Sequence, residues 1–427
     1  MSIYGKNDKL RKWRYSVQQM DLKIPGKDTI KIEKDRIVEL SIVENYEALY
    51  FPLIKLSVVL DDSVYYKIIK NKNKCKIYFR MDKYYITQDS TDKSLKREFI
   101  NDNFDIIMDE NNEDLNASIK EAENHSDYTK VTKDDKNTIE DRWSKKLDVY
   151  LFKSTVLDGL KKHINVILKD CTVTDAVAYL CYTAGLKNVL MTRADNITKY
   201  EEFLIPPSSI ISAIQYIDNY FGIYKLGSLI YFGINTTYIL SFTGKCTAWK
   251  KKEKKETAII IPKSNNKSHS YSLGSLQKED NKGISYIVAD YKTINIENES
   301  ISNNYIKGND ITEVKLSTGD VTDNKSTAES KSSNFTKTIE NATANDMIAS
   351  TYTNQASMQS VIIQVNAQDY DISAVAPNKK FSVLFEDTQY LKKYKGTYQL
   401  TSAYHTFLKE GEDFTLNSVL TVKKAAN

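Results

Sequence analysis

Alternation of apolar and polar residues dominates the first hundred residues of the chain. In RIVELSIVE, Val38, Leu40 and Ile42 alternate with polar side chains. The segment KCKIYFRMD repeats the pattern through Cys75, Ile77, Phe79 and Met81. Antiparallel strands that bury one face have this period of two. We therefore predict a β domain over residues 1–100, in which the longer apolar run LYFPLIKLSVVLDD forms a strand buried on both faces or in an oligomer.

The alternation stops between Asn101 and Asp141, where the chain becomes acidic and rich in asparagine. This stretch carries 13 acidic and 4 basic residues, a local charge of −9. Such a composition buries too little apolar surface to form a core of its own. We predict a solvated linker or loop over residues 101–146. The carboxylates from Asp109 to Asp114 have no apolar surroundings there, so we expect no glycosidase pair among them.

A unit that mixes strands and helices is predicted over residues 147–250. LDVYLF is typical of a strand, and CTVTDAVAYLCYTAGL predicts a helix with marked ends. Thr172 and Asp175 have the spacing of a capping box, and Gly185 suits the left-handed residue that follows a helix. The apolar stripe of this helix comprises Val173, Ala176, Val177, Leu180 and Cys181.

A second helix is predicted to begin at Pro206, Pro207 and Ser208 and to end at Gly222. Its apolar face consists of Ile210, Ile211, Ile214, Ile217 and Phe221. These spacings are those of one helix face. The following IYKLGSLIYF is expected to fold back about Gly227 as a short hairpin, with TTYILSFT as a third strand.

The rest of the chain divides into a polar stretch and a second β region. Residues 251–350 are rich in Lys, Ser, Asn and Thr and predict a loop-rich insertion with edge strands at ISYIVADY and ITEVKL. Residues 351–427 contain four strand-like segments, QSVIIQVNA, KFSVLFED, GTYQLTSAYHTF and DFTLNSVLTV. The predicted fold class is α+β, predominantly β.

Composition and charge narrow the classes of function. The 427 residues are 41% hydrophobic and 27% charged, as in a globular protein, and a net charge of +4 is small for a dedicated nucleic-acid binder. The basic run Lys250 to Lys255 is best interpreted as a solvated turn, with contact to DNA or an anionic surface as the alternative. No apolar run reaches the length of a membrane span, and MSIYGKNDKLRKWRYS is not a secretory signal. The cysteines are expected to be reduced and mostly buried: Cys75, Cys171, Cys181 and Cys246.

No catalytic, cofactor-binding or metal site is predicted. The four histidines, His125, His163, His269 and His405, are isolated and interpreted as structural or exposed. The chain has only 14 Gly and no phosphate-binding loop, so nucleotide binding is not expected. The sequon at Asn341 is of the kind that an Asn- and Ser-rich chain contains by chance.

Three segments resemble a known family in their order along the chain. LIPPSSIISAIQYIDNYFGIYKLGSLIYFG, followed by TTYIL, looks like the middle of the central baseplate hub proteins of tailed bacteriophages. DCTVTDAVAYLCYTAGL resembles the helix that precedes this unit in those proteins. The end of the chain resembles their closing β segment at Gly396, Tyr398, His405, Gly411, Phe414 and Thr415.

The resemblance implies a structural virion protein without enzymatic activity or cofactor. Such hubs are related to siphophage tail-tip proteins and to the hub part of type VI secretion spikes. They carry two tail-tube-like antiparallel β domains that flank a smaller α/β domain, and residues 351–427 would complete the second one. They form homotrimers that adapt a hexameric tail tube to a trimeric spike.

The resemblance also implies partners and a location. The partners are a tail tube or distal tube protein above, a spike or tip protein below, and other baseplate proteins. The location is the baseplate or tip of the virion tail, after assembly in the cytoplasm of the bacterial host. The channel could carry DNA, without specific recognition of nucleic acid and without a membrane span.

Two other functions stay open at this point. A tail-associated peptidoglycan hydrolase would give a lytic band in zymography, but the chain shows no carboxylate or zinc constellation for that chemistry. A host-binding tail adhesin would bind cells directly. The 29 Tyr residues suit stacking on sugars, although tyrosine is equally a strand residue.

Overall fold

The computed structural model describes residues 9–72, 74–87, 95–108, 144–224, 227–241, 257–261, 277–279, 285–296, 310–315, 320–324, 334–338, 361–377, 379–385 and 394–424. Within these residues the fold is α+β and predominantly β, which confirms the predicted class. In this part of the chain, none of the helices has the length and apolar character needed to cross a membrane.

Eight of the described strands pair in a closed circuit, which we call the first closed sheet. Its order is β1 (Lys9–Lys23), β5 (Lys76–Thr87), β6 (Arg97–Met108), β7 (Ser144–Lys153), β4 (Leu53–Asp61), β3 (Ile37–Asn45), β21 (Gly396–Glu410) and β22 (Asp413–Lys424). Tyr15 of β1 pairs with Phe414 of β22 and completes the circuit. The short β2 (Ile30–Lys31) pairs with β1, and α1 (Asp62–Lys70) follows β4.

Six of the described strands form a second closed sheet, which shares β21 and β22 with the first. Its order is β13 (Thr257–Ile261), β20 (Lys380–Phe385), β21, β22, β19 (Val361–Gln368) and β15 (Ser285–Ile296), and β15 pairs again with β13. The pairing of β21 with β22 shifts between Leu400 and Ser402. Residues of β21 before this point pair with β20, and residues after it pair with β3. One continuous hairpin therefore belongs to both closed sheets.

The intervening chain forms an α/β unit with a core cluster of its own. Its elements are α2 (Ser154–Leu160), β8 (His163–Thr172), α3 (Val173–Ala184), β9 (Val189–Met191), β10 (Lys199–Ser209), α4 (Ile210–Tyr220), β11 (Ser228–Phe232) and β12 (Thr237–Ser241). β8 pairs with β10, and β12 lies between β11 and β9. Two further groupings are β14 (Gln277–Glu279), which pairs with β1 and β15, and a small sheet of β16 (Asp310–Lys315), β17 (Asp320–Asn324) and β18 (Asn334–Thr338).

The predicted ends of the first helix are confirmed. The Thr172 side chain accepts a hydrogen bond from the backbone of Asp175, whose carboxylate accepts one from the backbone of Thr172. Gly185 follows α3 with a φ of 78°. The buried face predicted for α4 is also confirmed at Ile210, Ile214 and Ile217, and Gly222 with a φ of 70° follows the helix.

The predicted start of α4 is wrong. Pro206 and Pro207 lie in β10, where the pairing with β8 shifts between Ile205 and Ser208. Prolines have no N–H for the ladder and are tolerated at such a bulge. The helix is capped instead by Ser209, whose hydroxyl accepts a hydrogen bond from the backbone N–H of Ser212.

The predicted hairpin about Gly227 is also wrong. Gly227 donates its N–H to the carbonyl of Tyr224 in a turn that precedes β11. The strand pair consists of β11 and β12, and its turn spans residues 233–236, with the N–H of Gly233 bonded to the carbonyl of Thr236. Tyr224 is buried in the core of the α/β unit, where its hydroxyl is satisfied by a hydrogen bond that it donates to the carbonyl of Ile239.

Two strand predictions need correction. Residues 101–108, assigned to the acidic linker, belong to β6, because Phe104, Ile106 and Met108 are buried and alternate with more exposed residues. Val38 is 56% exposed, because the pairing of β3 shifts between Ile37 and Glu39 and turns Val38 outward. The remaining boundaries of the predicted domains stay predictions.

Neither strand expected at an edge of the insertion lies at an edge: β16 pairs with β17 and β18, and β15 lies in the core. β15 (ISYIVADY) pairs on both sides, and Ile287 is fully buried. β13 runs parallel to both β15 and β20, so the second closed sheet is not purely antiparallel. The sequence does not predict β13, because its apolar run, TAIII, is too short to stand out between polar segments.

Candidate functional site

The loop that leaves β19, residues 369–377, attaches the second closed sheet to the first, and we call it the joint loop. The guanidinium of Arg14 lies 2.8 Å from the carboxylate of Asp369. The carbonyl of Asp369 accepts a hydrogen bond of 2.8 Å from the backbone N–H of Trp13. Asp369 has a φ of 50°, a backbone conformation that few residues other than glycine adopt. This strain is consistent with a loop held in place by its contacts.

A buried tyrosine and a buried lysine fix the middle of the joint loop. Tyr15 donates its hydroxyl to the carbonyl of Tyr370 at 3.0 Å and accepts the N–H of Ile372 at 2.9 Å. The ammonium of Lys83 lies 2.6 Å from the carboxylate of Asp371 and also donates to the Ser373 hydroxyl. Lys83 is 8% exposed, so it depends on these partners for its solvation.

A second set of contacts attaches the α/β unit through the turn between β11 and β12. Lys153 donates to the carbonyl of Ile234 at 3.0 Å, and Asn235 donates to the carbonyl of Phe99 at 2.6 Å. The ring of Phe232 stacks on that of Phe51 with centroids 5.4 Å apart. The hairpin of the α/β unit thus docks on the first closed sheet.

A cluster of buried and partly buried polar side chains lies where these parts meet, and we call it the junction cluster. It comprises Glu44, Tyr46, Tyr231, Tyr370, His405 and Ser418. Glu44 belongs to β3, Tyr231 to β11, Tyr370 to the joint loop, and His405 and Ser418 to the shared hairpin. Both closed sheets and the α/β unit therefore contribute to one network.

Glu44 is the acceptor at the centre of the junction cluster. Tyr46 donates to its carboxylate at 2.8 Å, and Tyr231 does so at 3.4 Å. Burial, reinforced by the negative charge of Glu44, raises the pKa of both tyrosines, so both hydroxyls keep their protons. His405 places Nε2 3.4 Å from the same carboxylate and Nδ1 2.8 Å from the Ser418 hydroxyl.

The other histidines, cysteines and charged runs considered in the sequence do not form a site among the described residues. His163 is exposed on β8, whereas Cys75, Cys171 and Cys181 are buried free thiols. Burial raises the pKa of the Cys75 thiol and of the Cys181 thiol to about 11 in each case, which suits unreactive cysteines. His125, His269, Cys246, Asp109 to Asp114, Lys250 to Lys255 and Asn341 lie outside the described residues. Within the described ranges, no group of His, Cys, Asp and Glu side chains could hold a metal ion.

Residues 9–425 match the family model of the bacteriophage PBS1 gene 109 protein. The chain belongs to this bacteriophage protein family. The match extends over both closed sheets and the α/β unit, and it confirms the assignment to a phage protein family. No curated protein matches the chain.

Solved structures with a similar chain path include phage tail proteins and a component of a type VI secretion system. A tail protein of Neisseria meningitidis MC58 is 11% identical, with 96% of this chain and 97% of that chain covered and a TM-score of 0.45. The 43 kDa tail protein of prophage MuSo2 from Shewanella oneidensis is 10% identical, with 95% and 97% covered and a TM-score of 0.44. The Francisella PdpA–VgrG complex gives 11% identity, 99% and 60% coverage and a TM-score of 0.46.

Proposed function

We propose that this member of a phage protein family is a structural component of the tail, the central hub of a baseplate, and that it works as a homotrimer. The observation that carries the proposal is the pair of closed sheets within one chain. Three chains provide six closed sheets, which can surround a channel with pseudo-sixfold symmetry. Such a ring matches a hexameric tube on one side and a trimeric spike or tip on the other.

Closed sheets suit the wall of a ring. In a closed circuit every strand has a neighbour on both sides, so few free edges remain for unwanted pairing. The joint loop and the junction cluster hold the two closed sheets and the α/β unit in one orientation through buried ion pairs and hydrogen bonds. A symmetry adaptor needs this fixed orientation of its closed sheets, because any change in their orientation within one chain would occur in all three chains of the ring.

The role is structural and non-enzymatic, and the partners follow from it. A tail tube or distal tube protein lies above the ring, a spike or tip protein lies below it, and other baseplate proteins surround it. The protein works in the virion tail and is assembled in the cytoplasm of the host. Its channel admits DNA without recognising sequence.

A symmetry-resolved reconstruction of the assembled tail tip tests this function. We expect three copies of the chain at the level of the ring, each contributing two closed sheets to its wall. Six copies that contribute one closed sheet each would contradict the adaptor, and a position outside the axial channel would contradict the hub. Zymography on cell walls and a cell-binding assay with purified protein test the hydrolase and adhesin alternatives.

A further inference from the structure

A cavity of about 240 Å³ lies between the first closed sheet, the turn of β11 and β12, and the joint loop. Its walls are largely apolar and aromatic and include Ile42, Tyr46, Phe99, Tyr238, Ile372 and Val375. Glu44, at the centre of the junction cluster, also lines it. The cavity is partly open to solvent, and Glu44 is the only carboxylate among its lining residues.

The charge of Glu44 is incompletely compensated. Among the ion pairs formed by described residues, Glu44 has only the contact with His405, whose ring is charged only when protonated. Tyr46 and Tyr231 donate one hydrogen bond each, whereas a carboxylate can accept about four. The Glu44 side chain is 17% exposed, so it is neither fully hydrated nor sealed. A carboxylate in this position favours a cationic ligand.

We propose that this cavity binds a small organic cation, an ammonium or guanidinium group on a short apolar stem. The cationic head would pair with Glu44, and the stem would lie against Ile372 and Val375. Tyr46 and Phe99 also line the cavity, and the faces of aromatic rings attract cations. A water molecule occupies roughly 30 Å³ in the liquid, so the cavity accommodates about eight non-hydrogen atoms.

The charge and walls of the cavity exclude other ligand classes. An anion of the same size would be repelled by Glu44, and a neutral ligand would offer that carboxylate no opposite charge. Binding at this cavity can be measured on the isolated protein, and the proposal does not rest on the proposed role as a hub.

Calorimetric titration of the full chain with n-butylguanidinium tests the proposal. N-butylurea serves as the neutral ligand of the same shape, and hexanoate serves as the anionic one. We expect saturable binding of n-butylguanidinium at one site, with an affinity at least about tenfold higher than that of N-butylurea and no binding of hexanoate. Equal affinities for the guanidinium and the urea, or no saturable binding of the guanidinium, would overturn the proposal.

Two variants locate the site. Glu44→Gln should weaken binding of n-butylguanidinium by about tenfold or more. Glu39→Gln is the matched control, because Glu39 lies on the same strand, pairs with Lys55 and is not part of the cavity wall. It should leave the affinity unchanged.

A third variant tests the site in case Glu44→Gln fails to fold. Glu44 accepts hydrogen bonds from two buried tyrosines, so Glu44→Gln could disturb the fold itself. Ala376 lines the cavity from the joint loop and is not a member of the junction cluster, so Ala376→Phe adds a ring at the cavity wall without removing a group that contacts Glu44. It should abolish binding while the protein keeps the circular dichroism spectrum of the unaltered chain. Unchanged binding in both Glu44→Gln and Ala376→Phe would place the ligand elsewhere and overturn the assignment.

Discussion

Gly159 of α2 lies against the last turn of α3 where a side chain has no room. A Cβ atom at this position would lie 2.1 Å from the carbonyl oxygen of Ala184. Backbone atoms cannot turn aside as a side chain can, so one of the two helices would have to move. We expect Gly159→Ala to lower the free energy of unfolding by about 1–3 kcal/mol, measured by urea denaturation.

Gly396→Ala is the control for this substitution. A Cβ atom there would meet the end of the Lys424 side chain at 3.4 Å, an ordinary contact with a flexible group. Alanine also suits a strand better than glycine does, so this variant should be at least as stable as the unaltered chain. Equal unfolding midpoints for the two variants would show that α2 and α3 do not pack as closely as described.

A second residue-scale prediction concerns Asp218 at the end of α4. Burial raises the pKa of this carboxyl, and hydrogen bonds from the Ser228 hydroxyl and the Ile223 N–H offset only part of the effect. A raised pKa in the folded state contributes stability below the pKa of an unfolded aspartate, about 3.9, and this contribution is lost as the pH rises through the folded pKa. Ionised Asp218 therefore opposes folding at neutral pH.

Asp218→Asn keeps an oxygen acceptor and removes the charge. We expect it to raise the free energy of unfolding at pH 7, with a gain that shrinks as the pH is lowered, in urea titrations at several pH values. A difference from the unaltered protein that stays constant across these pH values would rule out ionisation of Asp218 as its cause.

At the scale of elements, a buried ion pair holds the middle of the joint loop. The carboxylate of Asp371 lies 2.6 Å from the Lys83 ammonium, and both side chains are largely shielded from water. Lys83→Met would leave Asp371 without its cation, which costs about 3 kcal/mol when such a pair is shielded. We expect a loss of this size in urea denaturation, and Lys83→Met combined with Asp371→Leu should recover part of it.

Lys31→Met is the matched control for the joint loop. Lys31 and Glu33 also form an ion pair, but both side chains are about two-thirds exposed. Pairs of this kind contribute less than about 1 kcal/mol. If Lys31→Met and Lys83→Met cost the same, the joint loop is not what fixes the closed sheets to each other.

Local signals predicted the elements well and their pairing poorly. The ends of α3 could be predicted, because Thr172, Asp175 and Gly185 act on backbone groups within a few residues. The place of His405 on a buried strand face follows from its spacing of two from Ala403 and Phe407. Its contact with Glu44 could not be predicted, because the two residues are far apart in the sequence. The same holds for Arg14 and Asp369, which are 355 residues apart in sequence.

At the scale of the whole molecule, the shared hairpin should make the two closed sheets unfold together. β21 and β22 supply paired strands to both circuits, and one continuous core cluster extends through them. The α/β unit has a separate core cluster. Opening either closed sheet therefore exposes part of the other, whereas the α/β unit can open with less effect on both.

Leu420→Ala tests this coupling at the centre of the hairpin. Leu420 is fully buried on β22 and pairs with Val365 of β19 on one side and Ala403 of β21 on the other. Truncating a buried leucine costs about 2–5 kcal/mol. Hydrogen exchange should then show reduced protection in β5 of the first closed sheet as well as in β15 of the second.

Ile214→Ala, in the core of the α/β unit, is the control for this prediction and should reduce protection chiefly in α3 and α4. Loss of protection confined to β15 and its neighbours in Leu420→Ala would mean that the closed sheets unfold independently, and that the hairpin joins them without coupling their stability.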